Sequence, residues 1–167
     1  MAPSSAKKQR PGVQRSAARL ASVQALYQMD IASTDINDIV QEFTQYRFAY
    51  DSNEGEEETV KPDAMFFTEL LRGVVRKQRE IDPVVDEQLA LGWRLVRIDS
   101  ILRAILRAAL FELMERPDVP VKVVINEYID VAHAFFDKDE PRVVNGILQN
   151  LAERYRAGEI KKVAAPQ

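Results

Sequence analysis

IDSILRAILRAALFEL, residues 98–113, carries eleven apolar side chains in sixteen positions. A helix that is apolar almost all round must be buried on most of its sides. The stretch therefore reads as a central post with other helices packed about it, capped at its start by Asp99. Two cations interrupt it, Arg103 and Arg107, at i and i+4. A guanidinium cannot be buried without a partner, so this edge must reach solvent, an acid or a binding partner. From spacing alone, a solvated stripe is the simplest reading.

Working toward the N-terminus, Gly92 ends a short helix for which Asp82-Pro83 supplies a cap and a first-turn proline. Before it, a helix is expected from Asp63 to about Glu80, with Met65, Phe66, Leu70, Val74 and Val75 inside. Residues 51–58 (DSNEGEEE) hold five acids and no base, a solvated loop on composition, which extends over 51–61. Asp35 caps a helix running to about Tyr50. From Gln14 to Asp30, Ala18, Ala21, Ser22, Ala25 and Met29 form a one-face stripe of mostly small residues, which lets a neighbouring backbone approach closely.

Toward the C-terminus, Pro117 and Pro120 break the chain. A helix follows from about Val121 to Phe136, and Pro141 opens another in which Val144, Ile147, Leu148, Leu151 and Tyr155 recur at helical spacing. VKVVI (121–125) is the one β-like run, and it passes directly into a helical period. The expectation is an all-α bundle of about seven helices with short loops. Residues 1–13 form a mobile basic arm, 14–156 a single helical domain, and 157–167 a fraying tail.

Charge is distributed unevenly. The first 29 residues hold five cations and no acid, whereas residues 30–167 carry a net charge of −8 within a chain total of −3. Such an arm attracts polyanions although the whole chain is acidic. The absence of Cys excludes disulfides, thiolate chemistry and zinc fingers, and suits a reducing, cytoplasmic setting. No membrane span or secretory signal is expected. Metal-protease, nucleophile-elbow and nucleotide-loop motifs do not occur. The one histidine, His133, shares a polar helix face with Asn126 and Asp130 and reads as solvated. No enzyme, cofactor or metal is implied.

Three segments taken together are specific: RLASVQALYQ (19–28), WRLVRIDSILRAILRAALFEL (93–113), and VPVKVVINE (119–127) joined to VNGIL (144–148). In this order and spacing the chain resembles the NusB family of bacterial transcription antitermination factors over residues 14–156. The resemblance implies two packed three-helix subdomains sharing a long central helix. It also implies binding of a single-stranded boxA-type RNA signal in ribosomal RNA transcripts, together with a NusE-type small-subunit ribosomal protein, within an antitermination complex on RNA polymerase. Monomers and homodimers both occur in such a family, and a dimer could cover the RNA face.

The residues fit that function on their own chemistry. Arg15 and Arg19 project from one side of the first helix, with Gln24 and Tyr27 farther along it. Cations attract phosphates, an amide pairs with a base edge, and an aromatic ring offers a stacking platform. Tyr27 reads equally as a core ring with its hydroxyl at the surface. The family motif puts Arg107 near the RNA face. Arg142 and Asn145 share a polar face with Gln149, beside Gly146, where a close helix contact is favoured over close approach of RNA. The expected RNA-binding set is thus Arg15, Arg19, Gln24, Tyr27, Arg107, Arg142 and Asn145. The chain departs from the family at Leu102, where an acid is common, and at Val143, where an aromatic often stands. Two other readings are a purely protein-binding helical scaffold and an accessory domain of an RNA methyltransferase. The second would need a catalytic domain and a glycine-rich cofactor loop.

Overall fold

Helix α1 spans Pro11–Ala32, three residues earlier than periodicity suggested, because Pro11 at the first position supplies a pre-set φ and needs no N–H partner. It ends where Ser33 turns into the left-handed region at φ 52°. A computed structural model describes residues 10–48, 60–92 and 100–164, in which eight α-helices and one π-helical segment occur and no strand. Residues 1–9 of the expected arm, the acidic stretch 51–58, and the proposed cap Asp99 lie outside the described residues. Residues 11–13, expected to be mobile, belong to α1.

Helix α2 (Ile36–Gln41) starts at Asp35, whose side chain accepts from the Asn37 N–H at 2.8 Å. It passes into a π-helical segment, Glu42–Arg47. The aromatic spacing accounts for this. Phe43 and Phe48 are five apart, about 140° out of phase on an α-helix, yet both are buried. Widening the turn brings both rings to one side, against Phe67, with centroids at 5.0–6.2 Å. Helix α3 (Ala64–Arg76) starts where expected and ends short of Glu80; Asp63 caps it, accepting from the Phe66 N–H at 3.0 Å.

Helix α4 (Gln78–Gly92) corrects the sequence reading. It does not start at Asp82-Pro83; Pro83 lies inside it, and Lys77 accepts the first helical bonds, from Glu80 and Ile81 N–H at 2.9 Å. Two gains offset the missing Pro83 N–H. Ile81 is fully buried, and the Asp82 carboxylate binds Arg107 instead of capping.

Helix α5 (Ser100–Glu115) is the central post, packing on α1, α3, α4, α6 (Val121–Phe135) and α7 (Glu140–Tyr155). Ala104 to Leu110 are buried without a break, Arg107 among them. The longest helix is α1, and its stripe of Ala18, Ala21, Ser22 and Ala25 is buried against its neighbours. Where α3 meets α5, a Cβ on Gly73 would overlap the Phe111 ring, so glycine is needed there for close approach. Pro141 lies in the first turn of α7, as the sequence suggests.

The tail does not fray at residue 157: α8 spans Ala157–Ala164. Arg156 explains it. This buried guanidinium donates to the carbonyls of Glu112, Leu113, Arg116 and Val119 at 2.6–3.1 Å; the Glu112 and Arg116 carbonyls also accept from the Arg116 and Val119 N–H groups, so Leu113 and Val119 are the two that depend on it. It also pairs with Glu159 at 2.8 Å, while the other Glu159 oxygen accepts from the Val121 N–H at 2.8 Å. No helix among the described residues is long and apolar enough to cross a membrane.

Candidate nucleic-acid interface

The seven residues expected to meet RNA divide into two groups. Arg19 and Arg107 face inward and are buried against acids of the chain. Arg19 is 2% exposed; its Nε and Nη2 donate to the two oxygens of Glu112 at 2.8 and 2.9 Å. The Tyr128 hydroxyl donates to the same carboxylate. Glu127 approaches Arg19 at 3.6 Å and accepts from the Ser16 hydroxyl at 2.8 Å. Burial works against the charge on Arg19, but the Glu112 hydrogen bond and the surrounding negative charge outweigh it and raise its pKa. Burial first, and then the Glu112 charge, push the Tyr128 hydroxyl well above its usual range, so it remains a neutral donor.

Arg107 is similarly enclosed, at 7% exposure. It holds Asp82 through Nε and Nη2 at 2.7 and 3.0 Å, and Asp30 through Nη1 at 2.9 and 3.1 Å. Its desolvation is outweighed by these two acids, and its pKa also rises. The guanidinium thus ties the end of α1 and the middle of α4 to α5. Arg103, one turn earlier, reaches Asp86 at 3.2 Å. The edge of the post therefore meets acids of the chain itself rather than forming a solvated stripe. A carboxylate inside an otherwise apolar helix was the signal available in the sequence: Glu112 needed a cation as surely as Arg107 needed an acid.

The other five expected residues reach the surface. Arg15 is half-buried, with its guanidinium 4.9 Å from the Phe66 ring centroid; Arg19 and Arg116 share that ring at 4.9 and 5.4 Å. Arg116 is held by Glu69 and Asp118 at 2.7 and 2.8 Å. Its hydrogen bonds, aided by the Arg15 charge, bring the Asp118 carboxyl down to about 2. Gln24 is exposed and Tyr27 half-buried, so Tyr27 is a ring that both packs and shows an edge. They line one cleft with Gln28, Arg47, Ile101 and Phe135. Arg142 and Asn145 are exposed on the first turns of α7. Gly146 beside them is open: a Cβ there would meet nothing within 4 Å, so the close helix contact favoured from sequence is absent. Leu102 and Val143, the two departures, are both core residues. His133 is exposed, in keeping with its polar face.

Comparison with known proteins gives a consistent picture. The sequence matches the NusB family over residues 16–153. It is 50% identical to the transcription antitermination protein NusB of Rhodopseudomonas palustris (strain TIE-1) over 157 residues, covering 93% of this chain and 88% of the relative. Against the protein of that name in Bradyrhizobium sp. (strain ORS 278), identity is 53% over 147 residues, covering 87% and 86%. Among solved structures, T. maritima NusB superposes with a TM-score of 0.70 at 25% identity, covering 92% of this chain and 99% of the other. The antitermination factor in a crystal structure of NusB and NusE in complex with dsRNA shares the fold, with a TM-score of 0.64 at 20% identity, covering 86% and 98%.

Proposed function

Since this chain belongs to the NusB family of transcription antitermination factors, we propose that it recognises a boxA-type single-stranded RNA signal together with a NusE-type ribosomal protein, and through that pair joins the antitermination complex on RNA polymerase. The observation that carries the reading is the family match, which runs through nearly the whole helical body. The surface chemistry supports it: an exposed amide and a ring edge share one cleft at Gln24 and Tyr27, and free-facing polar groups stand at Arg142 and Asn145. The protein acts by binding, not by catalysis.

The buried cations take a different part from the one their sequence positions suggested. Arg19 and Arg107 are positioning residues. They fix α1 against α5 and α6, and so fix where Arg15, Gln24 and Tyr27 stand. Phosphate attraction falls to Arg15, Arg142 and the basic arm.

Fluorescence anisotropy tests the proposal with a short boxA-type RNA and a scrambled RNA of equal length, each with and without the ribosomal protein. The expected result is weak, sequence-dependent binding by the chain alone and tighter binding with the ribosomal protein. With about four phosphates contacted, the log–log salt slope is roughly −3. Equal affinity for both RNAs in every condition would make the chain a protein-binding scaffold and sink the proposal.

A further inference from the structure

The π-helical segment Glu42–Arg47 lies beside the α1 cleft, and the sequence motifs do not touch it. Resting on the RNA reading above, we propose that this segment is a second wall of the RNA site, with Tyr46 stacking on an unpaired base and Arg47 meeting the adjoining phosphate.

Two clefts run along α1, of about 610 and 340 Å³, and Gln24 and Arg47 line both. They therefore adjoin at these two side chains, as two parts of a furrow along α1. Its first part is bordered by Tyr46, whose side is open to solvent: the residue is 67% exposed, beside a core of buried phenylalanines. A large ring left in water on a soluble surface is an unused apolar face, and every nucleobase offers a matching one. The second part holds Tyr27 and Phe135. Among the described lining residues of both parts, Arg47 is the one that carries a charge, and it is positive. Rings, amides and a cation suit an unpaired polyanionic strand, and the acid that this cation meets is Glu42.

The π geometry makes this arrangement possible. Closing the wide turn requires Phe48 N–H to donate to the Phe43 carbonyl, which puts both phenylalanines in the core. Tyr46 and Arg47 occupy two of the four positions between them. The Arg47 guanidinium lies 4.2 Å from the Phe43 ring centroid and touches Glu42 and Gln28 at 3.1 Å. The Arg47–Glu42 pair is about half exposed, a weak pair that a phosphate can replace. The guanidinium is thus pre-positioned at the junction of the two clefts.

The test uses the full chain with the boxA-type RNA named above, carrying 2-aminopurine at single positions. Tyr46→Ala is expected to weaken binding about tenfold and to abolish quenching of one 2-aminopurine, while Tyr46→Phe retains both. Arg47→Met is expected to make the salt slope shallower by about 0.7. If the wild-type chain binds the RNA and all three variants match it in affinity, quenching and slope, the second wall does not exist and the RNA reading stands. If the wild-type chain does not distinguish the RNA from its scrambled form, the RNA reading itself fails and takes this inference with it. If Tyr46→Ala weakens binding of the ribosomal protein but not of RNA, the furrow seats protein and the proposal is overturned.

Discussion

Arg19 donates two hydrogen bonds to Glu112 in a space almost closed to water, so neither charge can be removed alone without stranding the other. Arg19→Met is therefore expected to lower the unfolding free energy by about 3–5 kcal/mol, measured by urea denaturation. Arg15→Met, on a partly exposed side chain, should cost less than about 1 kcal/mol and act on RNA affinity instead. Asp118 gives a pH signature. Its carboxyl, ordinarily at 3.8, is brought to about 2 by Arg116, so its contribution to stability is complete above the ordinary value and lost as pH falls from about 4 toward 2. The stability difference between the wild type and Asp118→Asn should be constant above about pH 5 and vanish near pH 2, as read by thermal melts across that range.

At the scale of elements, the helices whose ends depend on neighbouring residues match their sequence signals. Asp35 caps as its position suggests, and the alanine stripe of α1 is buried as its spacing requires. Asp82-Pro83 shows where local signals lose. The same pair of residues can start a helix or sit within one, and the choice went to burial of Ile81 and to the Arg107 ion pair. Pro83 is exposed and removes a helical hydrogen bond, so Pro83→Ala should stabilise the protein by about 1 kcal/mol, detectable as a shift in the urea midpoint. At the α3–α5 crossing the opposite holds. Gly73→Ala puts a methyl group into the Phe111 ring and should destabilise by about 1–3 kcal/mol despite its better helix propensity.

For the molecule as a whole, three arginines hold the bundle. Arg19 joins α1 to α5, Arg107 joins α1 and α4 to α5, and Arg156 closes the end of α5 against the last helix. Arg156→Met would leave the Leu113 and Val119 carbonyls without a donor and remove the cation paired with Glu159, at an expected cost of about 2–4 kcal/mol. Circular dichroism should show helix lost in α8 before the global transition. Glu159, whose carboxyl is lowered chiefly by the Val121 N–H, should loosen the same helix in acid, since stability held by a depressed carboxylate disappears as pH falls.

The sequence by itself determined the helical class, the central post, most helix ends and the family, because periodicity, caps and motif order are written in residues that are neighbours along the chain. It also required the edge carrying Arg103 and Arg107 to reach solvent, an acid or a partner. Only the tertiary structure decided which partners. Ninety-three residues separate Arg19 from Glu112 and seventy-seven separate Asp30 from Arg107, and no local pattern encodes a pairing at that distance. That pairing holds Arg19 and Arg107 in the interior. It left Arg15, Gln24, Tyr27, Arg142 and Asn145 at the surface and brought Tyr46 and Arg47 beside them along α1, through a widened helical turn that two core phenylalanines require.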